Sequence, residues 1–400
     1  MAVSSPAAAR EHARTLWLIG ISGFGGVLSI RVCDPMLPLL GAEFGRSATD
    51  VSLVVTVFVM AYGLFSLVAG PLGDRRGKLA VMSVAALVAA AASLAAALPL
   101  SYGWLLAMRF VSGAAIGAIM PMGLAWIGDN VAYAERPATL ANFTAAATTG
   151  GVFGQATGGL FADTLGWNTA FILPGVLFLC TGLMLRGPAR RAPRPLAAPG
   201  GLAGVLGAYR AIFTDPRACA VMLFVALEGA IGFGALAFVP SFLHLRHDIP
   251  LWQAGLIVGG FGLGGLAFAI FSRPVITRLG ERGLAVVGSA GLALGLLAVV
   301  WSPMLAGAIA ACLLTGFGFY MMHNTVQTRG TQIAPATRGI GLACMALALF
   351  SGQSAGVAGA AAVIDQVGYG ATIAGLGVLA AVLGVVIAVW LRGNPPLKDL

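Results

Sequence analysis

The sequence predicts an all-α polytopic membrane protein of twelve transmembrane helices, arranged as two pseudo-symmetric bundles of six. Three observations lead to this prediction. Of 400 residues, 59% are hydrophobic and only 9% are charged, whereas about 25% of the residues in an average soluble domain are charged. The apolar residues fall in long continuous runs, and motifs recur between the two halves of the chain at a nearly constant offset. A water-soluble protein of this length needs far more polar surface.

The apolar runs are each long enough to cross a bilayer, which takes about 20 residues of helix. Continuous runs and 57 glycines are typical of closely packed membrane helices, and they exclude the alternating ten-residue strands of a β-barrel. The predicted spans are 15–40, 50–71, 79–100, 103–127, 139–162, 168–186, 218–243, 253–275, 284–302, 304–328, 340–364 and 370–392.

A polar stretch divides these spans six and six. Residues 187–217, GPARRAPRPLAAPGGLAGVLGAYRAIFTDPR, are rich in proline and arginine, which predicts a cytoplasmic linker. The N-terminal bundle is therefore predicted to cover 1–186 and the C-terminal bundle 218–400.

The two halves repeat each other. GPLGDRRG at 70–77 and RPVITRLG at 273–280 share their Pro, Arg and final Gly at an offset of 203, and Arg136 recurs as Arg338 at an offset of 202. Two parallel six-helix repeats are typical of a secondary transporter, whose site lies between the repeats near the middle of the membrane.

Basic residues predict the orientation. They concentrate in alternate connections and at both termini: Arg10, Arg14, Arg75, Arg76, Lys78, Arg136, Arg190, Arg191, Arg194, Arg210, Arg217, Arg278, Arg282, Arg329, Arg338, Arg392 and Lys398. By the positive-inside rule both termini are cytoplasmic in a multi-pass protein of the cell (inner) membrane. The net charge of +9 then reflects topology, and no nucleic-acid partner is expected.

Enzymatic chemistry finds no support in the motifs. The chain has no GxxxxGK[ST] loop, HExxH or CxxC, so nucleotide-driven chemistry, metal-dependent hydrolysis, a metal site and a cofactor are not expected. Its five cysteines fall in or beside apolar runs and are expected to be free thiols. The polar N-terminus has no small-residue cleavage site after the first run, so a cleaved signal peptide is not expected.

GPLGDRRGKL at 70–79 resembles the loop 2–3 signature of the major facilitator superfamily. The matching residues are Gly70, Gly73, Asp74, Arg75, Gly77 and Lys78. Gly73 and Gly77 are expected to allow a tight reversal between two helices. The resemblance implies that Asp74 helps to latch the two halves on the cytoplasmic side, and we assign Arg136 to the same gate.

Two further motifs support the resemblance. RFVSGAAIGAIMP at 109–121 is similar to the family's RxxxGxxxG pattern; its glycines make a smooth helix face, and Arg109 either turns inward with them or snorkels outward. TTGGVFGQATGGLFAD at 148–163 resembles a glycine-rich antiporter signature, with Gln155 in place of its proline. The glycines also fit simple helix packing.

Asp34 to Pro38, DPMLP, matches the DxxLP of the first span in drug:proton antiporter-like members, and HNTVQT, APATRG and SGQSAGV are similar to bacterial efflux members of that branch. The resemblance implies export of a drug-like molecule or metabolite by alternating access, with proton antiport. A sugar or metabolite facilitator or importer remains the alternative within transport. A membrane sensor or intramembrane enzyme would need an output domain or paired catalytic groups, which are not evident.

Charged residues at depth are costly, and each is a functional candidate. They are Arg31, Asp34, Arg109 and Glu228. Arg31 and Asp34 share a helix face, and Pro35 removes an N–H that the Arg31 carbonyl would bind. Because burial disfavours a charged carboxyl group, Asp34 or Glu228 is expected to couple protons to export, with Arg109 or Arg31 as partner. A static pair of Asp34 with either arginine that only fixes helix register is the alternative.

Polar and aromatic residues on the remaining spans are the candidates for a substrate cavity: Asn142, Phe143, Gln155, Phe233, Tyr320, His323, Asn324, Gln327 and Gln353. For His323 a hydrogen-bonded packing role is favoured over a proton relay. The expected partners are a small-molecule substrate, protons and the lipid bilayer, and the expected state is a monomer.

Overall fold

A computed structural model describes residues 6–132, 135–192, 201–334 and 337–394. The central part of the linker and Lys398 lie outside these residues. The described helices are α1 Pro6–Arg31, α2 Leu37–Phe44, α3 Ala48–Arg76, α4 Lys78–Ala96, α5 Tyr102–Ile116, α6 Ile119–Asn130, α7 Arg136–Thr164, α8 Ile172–Arg191, α9 Gly201–Thr214, α10 Pro216–Leu236, α11 Val239–His247, α12 Leu251–Trp301, α13 Leu305–Gly330, α14 Arg338–Val367 and α15 Tyr369–Gly393, with short 3₁₀ turns at Asp34–Met36 and Trp167–Phe171.

Ten helical stretches of the described chain are long and apolar enough to cross a membrane. Three of them join two helices across a short break: α1 with α2, α5 with α6, and α10 with α11. The 51-residue α12 counts as one stretch, although it changes direction at Gly280, where φ is 60° and ψ is 177°. A side chain would be strained at that φ, so glycine permits the bend.

The two halves pack their helices in the same way. On α7, a Cβ added at Gly154 would lie 2.5 Å from the Leu28 carbonyl oxygen of α1. On α14, a Cβ at Gly356 would lie 2.1 Å from the Ala230 carbonyl oxygen of α10. Both contacts are related by an offset of 202 residues, so the sequence repeat corresponds to a repeat of helix packing that depends on small residues.

The halves meet through two equivalent helix pairs, α3 with α14 and α7 with α12. Asp365, near the end of α14, accepts hydrogen bonds from the backbone N–H groups of Ala48 and Thr49 at 3.2 and 3.1 Å. Asp163, near the end of α7, accepts one from the N–H of Trp252 at 2.9 Å. Each aspartate therefore caps the first turn of a helix in the other half, and the two lie 202 residues apart.

We call the face of the bundle that carries these two contacts the capped end, and the face that carries the arginine-rich connections the basic end. Further contacts between the halves continue inward from the capped end. Ser354 of α14 donates to the Thr56 carbonyl of α3 at 3.2 Å, and the ring centroids of Tyr62 and Phe350 lie 4.2 Å apart. The halves are thus closely joined from the capped end to the middle of the bundle.

The linker is more structured than its composition predicts. α8 continues into it as far as Arg191, and α9 forms a helix within it. The hydroxyl of Tyr209 on α9 donates to the Leu67 carbonyl of α3 at 2.7 Å. Pro71, four residues after Leu67, has no N–H to offer that carbonyl, so Tyr209 supplies the missing donor. Burial raises the pKa of Tyr209 to about 12, and the hydroxyl stays protonated at neutral pH.

The GPLGDRRG segment departs from the expected two-glycine reversal. α3 continues through it to Arg76, and the reversal occurs at Gly77 alone, where φ is 88°. Gly73 lies inside the helix instead, where an added Cβ would be 2.2 Å from the Met122 sulfur. The prediction of a turn at Gly73 is wrong, because this glycine is needed for close packing.

Candidate functional site

A break in the first span positions the central charged pair. α1 ends at Arg31, and a 3₁₀ turn with Pro35 at its second position separates it from α2. Asp34 is completely buried and Arg31 nearly so. One guanidinium nitrogen, Nη1, of Arg31 lies 3.4 Å from the Asp34 Oδ2 atom. The predicted pairing of these two residues is therefore present in the structure.

Gln155 completes the surroundings of Asp34. Its Nε2 donates to the same Asp34 oxygen at 2.9 Å, and the other carboxylate oxygen, Oδ1, has no partner among the described residues. The residue that stands where the antiporter signature has proline thus binds the buried acid directly. Gln155 reaches α1 because glycines on α7 bring the two helices into contact.

Arg31 also joins the two halves. Its guanidinium carbon lies 4.4 Å from the ring centroid of Phe233 on α10, within the range of a cation–π contact. Phe233 is the residue 202 positions after Arg31. Equivalent positions of α1 and α10 therefore meet at the centre of the molecule.

Arg109 is buried and points inward, as its register with the glycines favours, but Asp34 is not its hydrogen-bond partner. Its Nε and Nη1 donate to the carbonyls of Val54 and Ser29 at 3.1 and 3.0 Å. Its guanidinium carbon lies 3.9 Å from the Phe58 ring centroid. Arg109 therefore joins the end of α1 to α3 through these hydrogen bonds.

Glu228 has a different partner from the predicted arginine. It is completely buried on α10, and its Oε1 is hydrogen-bonded to Nδ1 of His323 on α13. The second oxygen, Oε2, has no partner among the described residues. His323 is therefore bonded to an acid, and the hypothesis that Arg109 or Arg31 pairs with Glu228 is not supported by these contacts.

A central cavity of about 160 Å³ lies between the halves beside the Arg31–Asp34 pair. Four of the predicted cavity residues line it: Gln155, Phe233, Tyr320 and Gln353. Arg31 is the charged residue of its lining, and Phe261 and Phe350 add aromatic walls. A larger groove of about 490 Å³ lies between α3, α4 and α5 and is lined almost entirely by apolar side chains, as expected of a surface facing lipid.

The remaining predicted cavity residues lie elsewhere. The ring of Phe143 packs inside the N-terminal half, against Gly23 and Gly123. Asn142 and Gln327 are exposed and Asn324 is half-buried, nearer the basic end than the cavity. The sequence does not fix how each helix is rotated about its own axis. Polar and aromatic residues that face the cavity could therefore not be distinguished from those that face elsewhere.

The predicted gate residues make their described ion pairs within the N-terminal half. Lys78 lies 3.9 Å from Asp74 and is hydrogen-bonded to Asp129 at the end of α6. Arg75 is exposed, and Nε of Arg136 donates to the Val131 carbonyl at 2.8 Å. In this conformation Asp74 is 56% exposed.

Sequence reasoning missed the two capping aspartates and two of the aromatic cavity walls, Phe261 and Phe350. Asp163 and Asp365 are separated by the repeat offset of 202, and that signal could have identified them. Among the described residues, no three His, Cys, Asp or Glu side chains come together as a metal site would require.

Comparison with known proteins agrees with this architecture. The family described as Major Facilitator Superfamily matches residues 19–343. The chain is 24% identical over 332 residues to the uncharacterized MFS-type transporter YceJ of Bacillus subtilis, covering 81% of this chain and 82% of that protein. It is 25% identical over 317 residues to the major facilitator superfamily multidrug transporter mfsC of Aspergillus fumigatus, covering 66% and 61%.

Among solved structures, the fold is similar to that of a bacterial homolog of the human lysosomal transporter Spinster, with a TM-score of 0.79 at 15% identity, covering 99% of this chain and 100% of that one. At this identity the likeness shows the fold alone. With the family match over most of its length, the chain belongs to the Major Facilitator Superfamily and is a multi-pass membrane transporter for small molecules, not an enzyme.

Proposed function

We propose that the chain crosses the membrane twelve times, with its basic end and both termini in the cytoplasm. The ten apolar stretches become twelve when α12 is divided at Gly280 and α7 is added. α7 has 29 residues, about 44 Å of helix, which is more than the hydrocarbon thickness of about 30 Å. The arginine-rich connections favour this orientation in a cell (inner) membrane. Two six-helix bundles, 1–186 and 218–400, are then joined by the linker.

We further propose that the protein exports small molecules by alternating access in exchange for protons. The observation that carries this proposal is the Arg31–Asp34 pair at the helix break between the halves. Buried ion pairs are expensive in a membrane, and non-helical backbone at that depth is tolerated only against protein or a cavity. A pair retained there at such cost is a good candidate for the coupling site.

Coupling follows from neutralisation of Asp34. Proton uptake removes its charge, which weakens its hold on Arg31 and leaves the Gln155 amide to bind a neutral acid. Arg31 also contacts Phe233 of the other half, so a change in the charge of Asp34 alters a contact between the two halves. Glu228 and His323 supply a second proton-binding pair in the C-terminal half.

The two aspartates close the capped end in this conformation, and we infer that the cavity opens toward the basic end, which is the cytoplasm in the proposed topology. Outward opening requires both Asp163 and Asp365 to leave the helix ends that they cap. Efflux rather than uptake is favoured by the relative mfsC, which is named a multidrug transporter, and by the resemblance of the first span to drug:proton antiporters.

Reconstituted vesicles with an imposed pH gradient test the proposal. A panel of drug-like and metabolite substrates is offered, and substrate movement is measured together with proton movement in the opposite direction. Asp34→Asn is expected to abolish the dependence on the gradient, and Glu228→Gln to weaken it. Asp248→Asn is the control, because Asp248 is exposed at the capped end in a backbone conformation that asparagine also adopts.

Gradient-driven export that is unchanged in both Asp34→Asn and Glu228→Gln would overturn the coupling proposal. The Arg31–Asp34 pair lies within one span, which also suits a purely structural role. If substrate movement through the unmodified protein does not depend on the pH gradient, the protein is a facilitator.

A further inference from the structure

We propose that the central cavity selects a small, uncharged, amphipathic molecule with a carboxamide-like end, a group that both donates and accepts hydrogen bonds. The inference rests on the proposed transport function, because it names the substrate class of the same cavity. Three independent features of the cavity support it: unpartnered amide atoms, internally balanced charges, and a small aromatic interior.

Gln353 supplies the first feature. It lies on α14, lines the cavity and is completely buried. Neither its Nε2 nor its Oε1 has a partner among the described residues, and Oε1 of Gln155, on the facing helix α7, is also unpartnered. Buried polar atoms without partners are costly, so the set asks for a ligand group that satisfies one donor and two acceptors. A primary carboxamide offers two N–H donors and a carbonyl acceptor.

The charges around the cavity are already matched. Arg31, the charged residue of the cavity lining, is paired with Asp34. An anion that bound Arg31 would have to compete with Asp34 and leave a buried carboxylate unpaired, whereas a cation would be repelled by the guanidinium. An uncharged ligand avoids both costs.

The cavity is also small and largely aromatic. Its volume of about 160 Å³ is below the range of about 300–1,000 Å³ that is usual for drug-sized ligands. Phe233, Phe261, Tyr320 and Phe350 line it, and flat aromatic walls suit a planar apolar body. The described cavity therefore fits a molecule of about the size of one substituted ring.

Three isosteric probes separate the possible charges: benzamide, benzoate and benzamidinium have the same shape and differ at one end. Their effect on the thermal unfolding midpoint of the purified full-length protein is titrated in detergent at neutral pH. Benzamide is expected to raise the midpoint saturably, and the two ions to do so at least about ten-fold more weakly. Stabilisation by benzoate or benzamidinium that equals or exceeds that by benzamide would overturn the inference.

Substitutions at the amide identify the binding group. Gln353→Leu and the unbranched Gln353→Met are both expected to weaken benzamide binding by about ten-fold, the effect of losing a good polar contact. Gln332→Leu, at the basic end outside the cavity, is the matched control and is expected to bind benzamide normally. Unchanged benzamide binding in a folded Gln353 variant would contradict the assignment.

The two proposals fail separately. Preference for an ion in the probe titration overturns the substrate class and leaves proton-coupled export standing. Absence of proton movement in the vesicle assay overturns coupling, whereas selective binding of benzamide would still hold for a facilitator.

Discussion

Asp365 caps the first turn of α3 by accepting hydrogen bonds from both the backbone N–H and the hydroxyl of Thr49, at 3.1 and 2.5 Å. Asp163 does the same for α12 through the N–H of Trp252. Each half thus closes the capped end with an acid near the end of one helix, α7 or α14, that caps the first turn of a helix in the other half, α12 or α3. The arrangement is reciprocal because both halves inherit it from the same repeat.

Replacing both acids, as Asp163→Ala with Asp365→Ala, is expected to shift the protein toward a conformation open at the capped end. Helix caps contribute about 0.5–1 kcal/mol each at exposed positions, so the double variant should shift the equilibrium about five-fold or more. A cysteine introduced at Val258, a buried residue of α12 that lines the cavity, is the reporter: in a chain whose five own cysteines are replaced by alanine, its labelling by a membrane-impermeant maleimide should accelerate.

Asp248→Asn is the matched control, because Asp248 is exposed at the same end of the molecule and its φ of 50° suits asparagine better than alanine. Equal labelling rates in the control and the double variant would show that the caps do not hold the capped end closed. Acceleration by either single substitution should be smaller than that by both, since the two caps are separate contacts.

The fold could be predicted closely from the sequence, because long apolar runs leave a membrane helix as the main solution. The helix break at Asp34 was visible in its prolines, and the pairing of Arg31 with Asp34 followed from their spacing. Long-range partners were not visible. The contacts of His323 with Glu228 and of Gln155 with Asp34 depend on how the helices are rotated, which composition does not encode. The helix α9 was hidden because proline and arginine dominate the linker around it.

The linker contact of Tyr209 should depend on Pro71. Tyr209→Phe removes the donor to a carbonyl that has lost its helical partner, and is expected to cost about 1 kcal/mol in thermal unfolding. In a Pro71→Ala background residue 71 regains its N–H, so the same substitution should cost much less. The pKa of Tyr209 is about 12, so this cost should not vary between about pH 5 and 9, well below it.

Equal costs of Tyr209→Phe in the two backgrounds would show that the hydroxyl does not replace the missing N–H. Tyr102→Phe in the same two backgrounds is a suitable control, because Tyr102 donates to the Asp50 carbonyl at the other end of the molecule.

Each half also carries an ion pair between the start of one helix and the end of another. The positive and negative partners exchange places between the two halves. Lys78 of α4 binds Asp129 in the N-terminal half, and Glu281 binds Arg329 at the end of α13 in the C-terminal half. Arg329 donates twice to Glu281, at 3.1 and 2.5 Å, and once to the Asn394 carbonyl at 3.0 Å. Its side chain is only 8% exposed, whereas that of Asp129 is 57% exposed.

Arg329→Gln is therefore expected to destabilise the protein by about 2–3 kcal/mol, since it leaves a partly buried acid unpaired. Lys78→Gln should cost at most about 1 kcal/mol, because its partner is solvated. The comparison is made by thermal unfolding at low and high salt, and only the Lys78 effect should shrink with salt. Equal losses in the two variants would contradict the difference in burial.

Glycine contacts along α7 should control the geometry of the coupling pair. A Cβ at Gly158 would lie 2.0 Å from the Val32 carbonyl oxygen, a distance that real Cβ atoms do not reach, so Gly158→Ala must move α1 away from α7 at the helix break. Gln155 would then lose its 2.9 Å contact with Asp34. Gradient-driven transport in vesicles is expected to fall by about ten-fold or more, since misplacing a functional group by about 1 Å has effects of this order. Gly128→Ala on α6, where a Cβ meets nothing within 4 Å, should leave transport unchanged; wild-type coupling in a folded Gly158→Ala protein would mean that the contact between Gln155 and Asp34 is not needed for it.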